Sequence, residues 1–406
     1  MFKNKALVVL FFTLLLDTIS VGILIPILPI IFTDPSSPAF ILHGYTQGQQ
    51  YFIAGAITGV FGFMQFFAAP LLGELSDVYG RKRFLTMSVA VLALSNLLFG
   101  FGIQIASLTV LIISRVTAGI AGANFSIAQA SIADVSEPHA RAKNFGIISA
   151  AFGIGFILGP FLGGIISETF NHPATPFWFA GILGMLNVIF ISTFLPETRV
   201  VSEKKTESFN IFKGLHNIRA AFRDKDAAPV YMANFLYTSG FAFFTTFVSI
   251  LLTVRFAFTE GTIGIYFSVV GAFIVLTQLG LVGYFTDRFT EKTLMLYCIP
   301  LVALSIFIYP YARNIEILYV LIPLMAIPQG ITFASVSALI SKSVSAEKQG
   351  AALGINGSLM ALAQGIIPLL AGIGSGVIGL TAPFIAGGIF ILASWYVIYT
   401  SKHVKG

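Results

Sequence analysis

The sequence predicts an all-α membrane protein whose twelve transmembrane helices form two six-helix, pseudo-symmetric bundles, and three observations predict it. Of 406 residues, 56% are apolar and only 10% are Lys, Arg, Asp or Glu, whereas a soluble domain carries about 25% charge. At a mean hydropathy of +0.90 the chain has too few charges to cover a water-facing surface. Lipid is therefore the solvent for much of it, and a soluble enzyme is excluded. The apolar residues also fall into twelve runs of about 20 residues, the length that crosses a hydrocarbon core. Finally, one long polar stretch, 197–228, divides those runs six and six.

Cutting the runs at charged or Pro/Gly/Asn-rich breaks places spans at 6–31, 51–72, 84–104, 108–134, 144–166 and 177–196, then at 229–252, 261–283, 293–312, 316–341, 350–372 and 382–400. The expected organisation is an N-terminal bundle over 1–196, a cytoplasmic linker over 197–228 and a C-terminal bundle over 229–406. Within the linker, Ile211, Phe212, Leu215 and Ile218 have the spacing of a helix lying on a membrane surface. With the N-terminus inside, 20 of the 23 Lys and Arg fall in cytoplasmic segments and only Arg255 and Arg313 fall outside. This bias puts both termini in the cytoplasm. The net charge of +6 thus reports topology and not a nucleic-acid partner. The first apolar stretch lacks a small-residue cleavage site and contains Asp17, Pro26 and Pro29, so it reads as a retained helix and not a signal peptide. The single cysteine, Cys298, excludes a disulfide framework and a cysteine-based metal site.

The two halves repeat. GELSDVYGRK at 73–82 matches GYFTDRFTEK at 283–292 at an offset of 210, while NFGIISA at 144–150 matches ALGINGS at 352–358, and Pro160 matches Pro368, at an offset of 208. Such near-constant offsets imply a duplicated six-helix unit and a substrate cavity between the copies.

Asp17 is the only acidic residue well inside any span. An intramembrane arginine, costing roughly 2.5 to 3.5 kcal/mol on insertion scales, needs a partner or water, and Arg115 lies within one or two turns of the depth of Asp17. These two residues are read as a proton carrier and its modulator, with Arg115 reaching Asp17 directly or through water. A hydrogen-bonded polar residue near a kink for Asp17, and snorkelling to the outer interface for Arg115, are the competing readings.

Together with these landmarks, Gly73, Asp77, Gly80, Arg81 and Lys82 after the second span resemble the signature loop of the major facilitator superfamily, and the resemblance covers the whole chain. It implies a gating cluster of Gly73, Asp77, Gly80, Arg81, Lys82, Asp134 and Arg141, repeated in the second half by Asp287 with Lys292, in which Asp77 accepts hydrogen bonds from a helix N-terminus across the cytoplasmic seam. The run GIGFILGPFLGG, with Gly155, Gly159, Pro160, Gly163 and Gly164, is similar to the fifth-helix pattern of the family's antiporters. Its eleventh-helix copy keeps Pro368 and Gly372 while losing the other matched glycines. Within the family the first half looks most like the tetracycline-resistance type of drug:proton antiporter. Those proteins carry further acids inside helices 3 and 9, where this chain has Ser95, next to Asn96, and no acid at all. The residues associated with a metal-chelated tetracycline are thus partly missing.

The family's arrangement points to Gln65, Phe66, Asn124, Gln129, Asn234, Tyr237, Phe241, Phe244, Gln278, Gln329, Asn356 and Gln364 as cavity residues. Aromatic and amide groups without further charge suit a bulky, mostly apolar solute, and any one of them serves equally well in helix packing. No bond-making chemistry is visible. His43, His139, His172, His216 and His403 lie in loops or tails without metal spacing, and no Gly-Lys-Ser/Thr loop is present for ATP. The expectation is therefore a monomeric, alternating-access, proton-coupled exporter of hydrophobic or amphipathic small molecules, with protons and lipid as its partners and no cofactor or metal. An exporter of a native metabolite, siderophore, sugar or lipid, or a non-transporting receptor or scaffold, are the alternatives.

Overall fold

The structure, a computed structural model, describes residues 5–122, 124–137, 141–199, 227–342 and 349–401, with Leu215, Ile218, Arg219 and Phe222 between them. Among the described residues, twelve helices are long and apolar enough to cross a membrane. They are α1 Lys5–Thr33, α2 Gln47–Tyr79, α3 Arg81–Gln104, α4 Leu108–Asp134, α5 Arg141–Phe170 and α6 Thr175–Phe194, then α7 Ala228–Phe256, α8 Glu260–Thr286, α9 Glu291–Tyr311, α10 Ile315–Lys342, α11 Gln349–Val377 and α12 Ala382–Thr400. The expected surface helix of the linker falls partly on Ile211 and Phe212, which lie outside the described residues.

Local chemistry sets the ends and breaks. Ser107 accepts from Val110 N–H at the start of α4, and Thr290 accepts from Thr293 N–H at the start of α9. Pro176, Pro229 and Pro383 occupy first-turn positions, where a missing N–H costs nothing. α1 is interrupted around Ile23, because Pro26 cannot donate to the carbonyl of Gly22. α4 is interrupted after Gly122, whose N–H is shared between the carbonyls of Ala118 and Gly119. α8 contains a π-helical turn at Thr277–Leu281.

The anticipated loop after α2 is shorter than expected. Gly73 and Asp77 sit on α2, Arg81 and Lys82 open α3, and only Gly80 connects them, at φ 102°. A positive φ lets the chain reverse direction in one residue, and glycine adopts it without a steric cost. A Cβ at this position would also stand 2.6 Å from Glu197 Oε2. Gly80→Ala is expected to lower stability by about 1–3 kcal/mol, read as a lower thermal unfolding temperature of the purified protein; an unchanged temperature would mean the turn relaxes freely.

By its contacts the chain divides into two compact units, one comprising Met1–His43, Val60–Lys213 and Thr259–Ser268, the other Gly44–Gly59, Gly214–Phe258 and Val269–Gly406. In the first, Leu7, Leu10 and Leu14 of α1 pack with Leu85 and Val89 of α3, Ile127 and Ile132 of α4 and Ile191 of α6. The glycine run of α5 serves two neighbours. Gly155 lies against Thr18 and Gly163 against Ile23, while a Cβ on Gly159 would fall 2.8 Å from Gly22 Cα, so this face fits the interrupted stretch of α1. Gly164 instead abuts Glu260 and Gly261 of α8, and Gly264 abuts the carbonyl of Pro160.

In the second unit, Phe244 packs edge-on against Tyr309 and Phe384, α7 and α12 approach through Gly240 and Gly387, and Ser394 Oγ donates to Ala233 O at 2.7 Å. Here α11 has a glycine seam of its own. Gly365 and Gly376 close on Gly59 and Gly48 of α2, and Pro368 closes on Gly55. Aligning α11 with α5 alone concealed this seam, because its partner is α2.

Candidate functional site

In the first unit, Asn124 begins the second segment of α4 and is buried, and its Nδ2 donates to Asp17 Oδ2 at 2.8 Å. Two residues earlier the α4 interruption exposes the Gly122 carbonyl, which accepts from Gln65 Nε2 of α2 at 2.9 Å. A carboxylate, two amides and the Gly122 carbonyl are thus brought together by α1, α2 and α4. Such groups hydrogen-bond one another because burial without a partner costs each of them about 1–3 kcal/mol. Gln129, further along α4, is partly buried.

Arg115 departs from expectation. The direct pairing with Asp17 is not formed: the guanidinium is buried, with its Cζ 4.3 Å from the ring centroid of Phe99 on α3, and Phe99 itself stacks on Phe177 of α6 at 4.5 Å. The reason is local. Asn124 already serves Asp17, and an aromatic face attracts a desolvated cation with about 2 kcal/mol. Arg115 Nε and Nη2 find no hydrogen-bond partner among the described residues, nor does Ser114 Oγ. Snorkelling does not describe this side chain, which is 5% exposed. At the position where the resemblance would put a third-helix acid, Ser95 Oγ shares a 2.8 Å hydrogen bond with Thr117 Oγ1.

The C-terminal end of α2 forms a dense ionic cluster with α3 and α4. Arg81, 4% exposed, is ion-paired with Asp77 and reaches Asp134 Oδ2 through Nε at 3.1 Å, while its Nη1 donates to Ser76 Oγ at 2.7 Å and approaches the Gly73 carbonyl. Asp77 also pairs with Arg199. At the N-terminus of α3 the carboxylate is that of Glu197. Glu197 Oε1 accepts from Arg81 N–H at 2.9 Å and from Thr198 and Arg199 N–H, and Oε2 accepts from Lys82 N–H at 3.3 Å. Sequence reasoning missed Glu197, Arg199 and Ser76. The run PETR at 196–199 (Pro196 to Arg199) directly after α6 was the available signal. The side chain of Arg141 lies outside the described residues.

The second copy of the loop does not reproduce the cluster. Asp287 sits in an exposed turn and forms no ion pair among the described residues; Arg288 lies over the Tyr284 ring at 3.6 Å, and Lys292 Nζ caps α12 by donating to Ser401 O at 2.7 Å. Duplication preserved the motif's position while its partners diverged.

In the second unit, neutral polar groups pair instead. Asn234 donates to Asn356, Tyr237 donates to Gln329, and Gln278 Nε2 donates to Gly330 O at 3.1 Å. The last repeats the Gln65–Gly122 bond, so glutamines on α2 and α8 both reach glycine carbonyls, on α4 and α10 respectively. Phe241 is partly buried and Gln364 exposed. Two expected cavity residues are buried among other rings in this structure. Phe66 is 1% exposed and packs on Phe67, and Phe244 is 2% exposed between Tyr309 and Phe384. Aromatic rings without a polar tip gain more from helix packing than from lining a wet space. Phe244→Ala is expected to cost about 3–5 kcal/mol of stability. By contrast, Tyr237→Phe should cost less, about 1–3 kcal/mol for the Gln329 carbonyl left without its donor, and should alter transport selectivity. The reverse pattern in thermal unfolding and transport assays would exchange the two assignments.

Twelve spanning helices carrying an internal repeat, with polar side chains paired in the interior of each unit, define a multi-pass membrane transporter. The chain belongs to the Major Facilitator Superfamily, whose profile matches residues 10–279 and again 230–405. Among its relatives, the tetracycline resistance protein, class C, of Escherichia coli is 29% identical over 367 residues, 89% of this chain and 86% of that protein. The quinolone resistance protein NorA of Staphylococcus aureus is 28% identical over 381 residues, 91% of this chain and 89% of that protein. Among solved structures, the human organic anion transporter MFSD10 has a TM-score of 0.74 at 24% identity, covering 98% of this chain and 100% of that one. A D-xylose-proton symporter has a TM-score of 0.76 at 15% identity, covering 99% and 98%. At these identities the solved structures speak to the fold, and the resistance proteins speak to drug efflux among the relatives.

Proposed function

We propose that the protein is a proton-coupled exporter of a bacterial inner membrane, with both termini cytoplasmic, that moves hydrophobic or amphipathic small molecules by alternating access of its two halves, 1–196 and 229–406, across the linker 197–228. The observation that carries this reading is Asp17, the one acid well inside a span, held by Asn124 beside the α4 interruption. A carboxyl in that place changes charge when it takes up a proton. The hydrogen bond from Asn124 then loses its charge assistance, which gives α1 and α4 different preferred contacts in the two protonation states. Arg115, on the same helix as Asn124 and without hydrogen bonds on two of its nitrogens, biases that equilibrium electrostatically and not as a direct ligand.

The neutral amide and phenol pairs of the second unit supply reversible hydrogen bonds without selecting for charge, which supports an amphipathic cargo. Relatives named for resistance to tetracycline and to quinolones support export. The test is proteoliposomes loaded with a pH-sensitive dye and challenged with a panel of lipophilic cations, neutral amphiphiles and weak acids. Proton flux opposite to substrate flux is the expected result. Movement of substrate with no proton flux would overturn the coupling, and absence of any flux across the panel would overturn the choice of cargo.

A further inference from the structure

Beside the ionic cluster, with which it shares Lys82 and Glu197, the ends of α3 and α6 leave a groove of about 450 Å³ lined by Lys82, Arg83, Thr86, Met87, Ala90, Ser192 and Glu197. We infer that this groove binds an anionic phospholipid, with its phosphodiester at Lys82 and Arg83 and an acyl chain running along the outer faces of α3 and α6.

Three features carry the assignment. The first is uncompensated charge. Glu197 is the only acid in the groove, and both of its oxygens already accept backbone N–H groups, from Arg81, Lys82, Thr198 and Arg199. Lys82 and Arg83 have no ion-pair partner among the described residues. Lys82 and Arg83 exceed the single carboxylate of the groove by one positive charge, and two adjacent cations attract a phosphate, each worth about 1 kcal/mol near an anionic surface.

The second is the apolar track that continues from the charged end. Met87, Val91 and Leu94 on α3 are 53%, 39% and 55% exposed, and Ile182, Leu186 and Ile189 on α6 are 57%, 56% and 61% exposed. These residues follow helical spacing, so each set forms a stripe along its helix. The two helices approach closely where Gly181 and Gly184 meet Leu97 and Ala93. The groove therefore offers charge at the headgroup level and hydrocarbon below it, the polarity order of a phospholipid.

The third is the hydroxyl chemistry. Thr86 Oγ1 donates to Lys82 O at 2.8 Å and Ser192 Oγ donates to Val188 O at 2.7 Å. Both hydroxyl protons are thus committed, and the oxygens are left as acceptors. Headgroup hydroxyls, as in a glycerol headgroup, supply the matching donors. A headgroup ammonium would instead stand beside two cations, and a choline ammonium has no N–H to donate.

The test is native mass spectrometry of the full-length protein titrated with dioleoylphosphatidylglycerol, with dioleoylphosphatidylcholine and with sn-glycerol 3-phosphate. Phosphatidylglycerol is expected to be retained at least about tenfold more tightly than phosphatidylcholine, which carries the same acyl chains. The Lys82→Gln, Arg83→Gln double variant should lose that preference. Ser192→Trp, which keeps both cations and fills the groove, should lose it too, whereas Arg313→Gln, a cation at the opposite end of the spans, should not. Thermal unfolding of each variant confirms that it is folded; were the double variant unfolded, Arg83→Gln alone and Ser192→Trp decide the matter. Equal retention of the two lipids, a preference that survives Ser192→Trp, or equally tight binding of glycerol phosphate would overturn the assignment. None of these outcomes depends on the cargo or on proton coupling, so the lipid site and the transport reading stand or fall separately.

Discussion

Asp17→Asn is expected to abolish uphill export while leaving exchange of substrate down its own gradient. Asparagine preserves the size of the side chain, and its carbonyl still accepts from Asn124 Nδ2, which lies 2.8 Å from Asp17 Oδ2. What it removes is the ability to gain and lose a proton. Each proton crossing a pH difference of one unit supplies about 1.4 kcal/mol, enough for a roughly tenfold substrate gradient. In proteoliposomes with such a pH difference, the wild-type protein should build a gradient of at least that size and the variant none, while counterflow of labelled substrate continues. Asp17→Glu should restore part of the gradient. If Asp17→Asn still concentrates substrate, Asp17 is a structural hydrogen-bond acceptor and the proton travels elsewhere.

Asp77→Asn is expected to shift the conformational equilibrium toward the inward-open state, because the cluster that ties α2, α3 and α4 together at this end loses a charge. Arg81 is almost fully buried, whereas Asp77 is 39% exposed on the side chain. Water therefore screens part of the loss, and the effect is set at about 1–2 kcal/mol and not at the larger cost of breaking a buried pair. That is still a shift of roughly tenfold between two states that differ by a few kcal/mol. In a Cys298→Ser background, single cysteines placed on the cytoplasmic side of the cavity should label faster and those on the opposite side slower. Glu197→Gln should act in the same direction, since Glu197 fixes the backbone of Arg81 and Lys82. Unchanged labelling in both variants would make the cluster a folding device with no part in gating.

Much of this protein was legible as text. Periodicity and charge placement found all twelve spans, because a helix in lipid must satisfy its own backbone and must be apolar over its whole length. Asp17 and Arg115 stood out because ionised groups are costly in hydrocarbon and are kept only with a compensating environment. The internal repeat was visible as constant offsets, since insertions are confined to short connections. The exact helix ends were less legible. α2 and α3 run on through the motif that reads as a loop, because one glycine at φ 102° suffices for the turn.

The sequence by itself determined the membrane environment, the number and order of spans, and which few charged residues require an explanation. Tertiary structure alone decided who answers each of them. Asn124 and not Arg115 holds Asp17, Phe99 takes Arg115, and Glu197 occupies the helix N-terminus beside the signature motif. Phe66 and Phe244 went to the core, and the glycines of α11 found α2. The physical reason is one of range. Transfer into lipid is a property of each segment and adds along the chain, so it can be summed from residues in order. A hydrogen bond, an ion pair or a ring contact acts over a few ångströms between residues far apart in sequence, 174 positions for Thr13 and Asn187 and more for Tyr51 and Phe247, and only the packing of the helices says which of them meet.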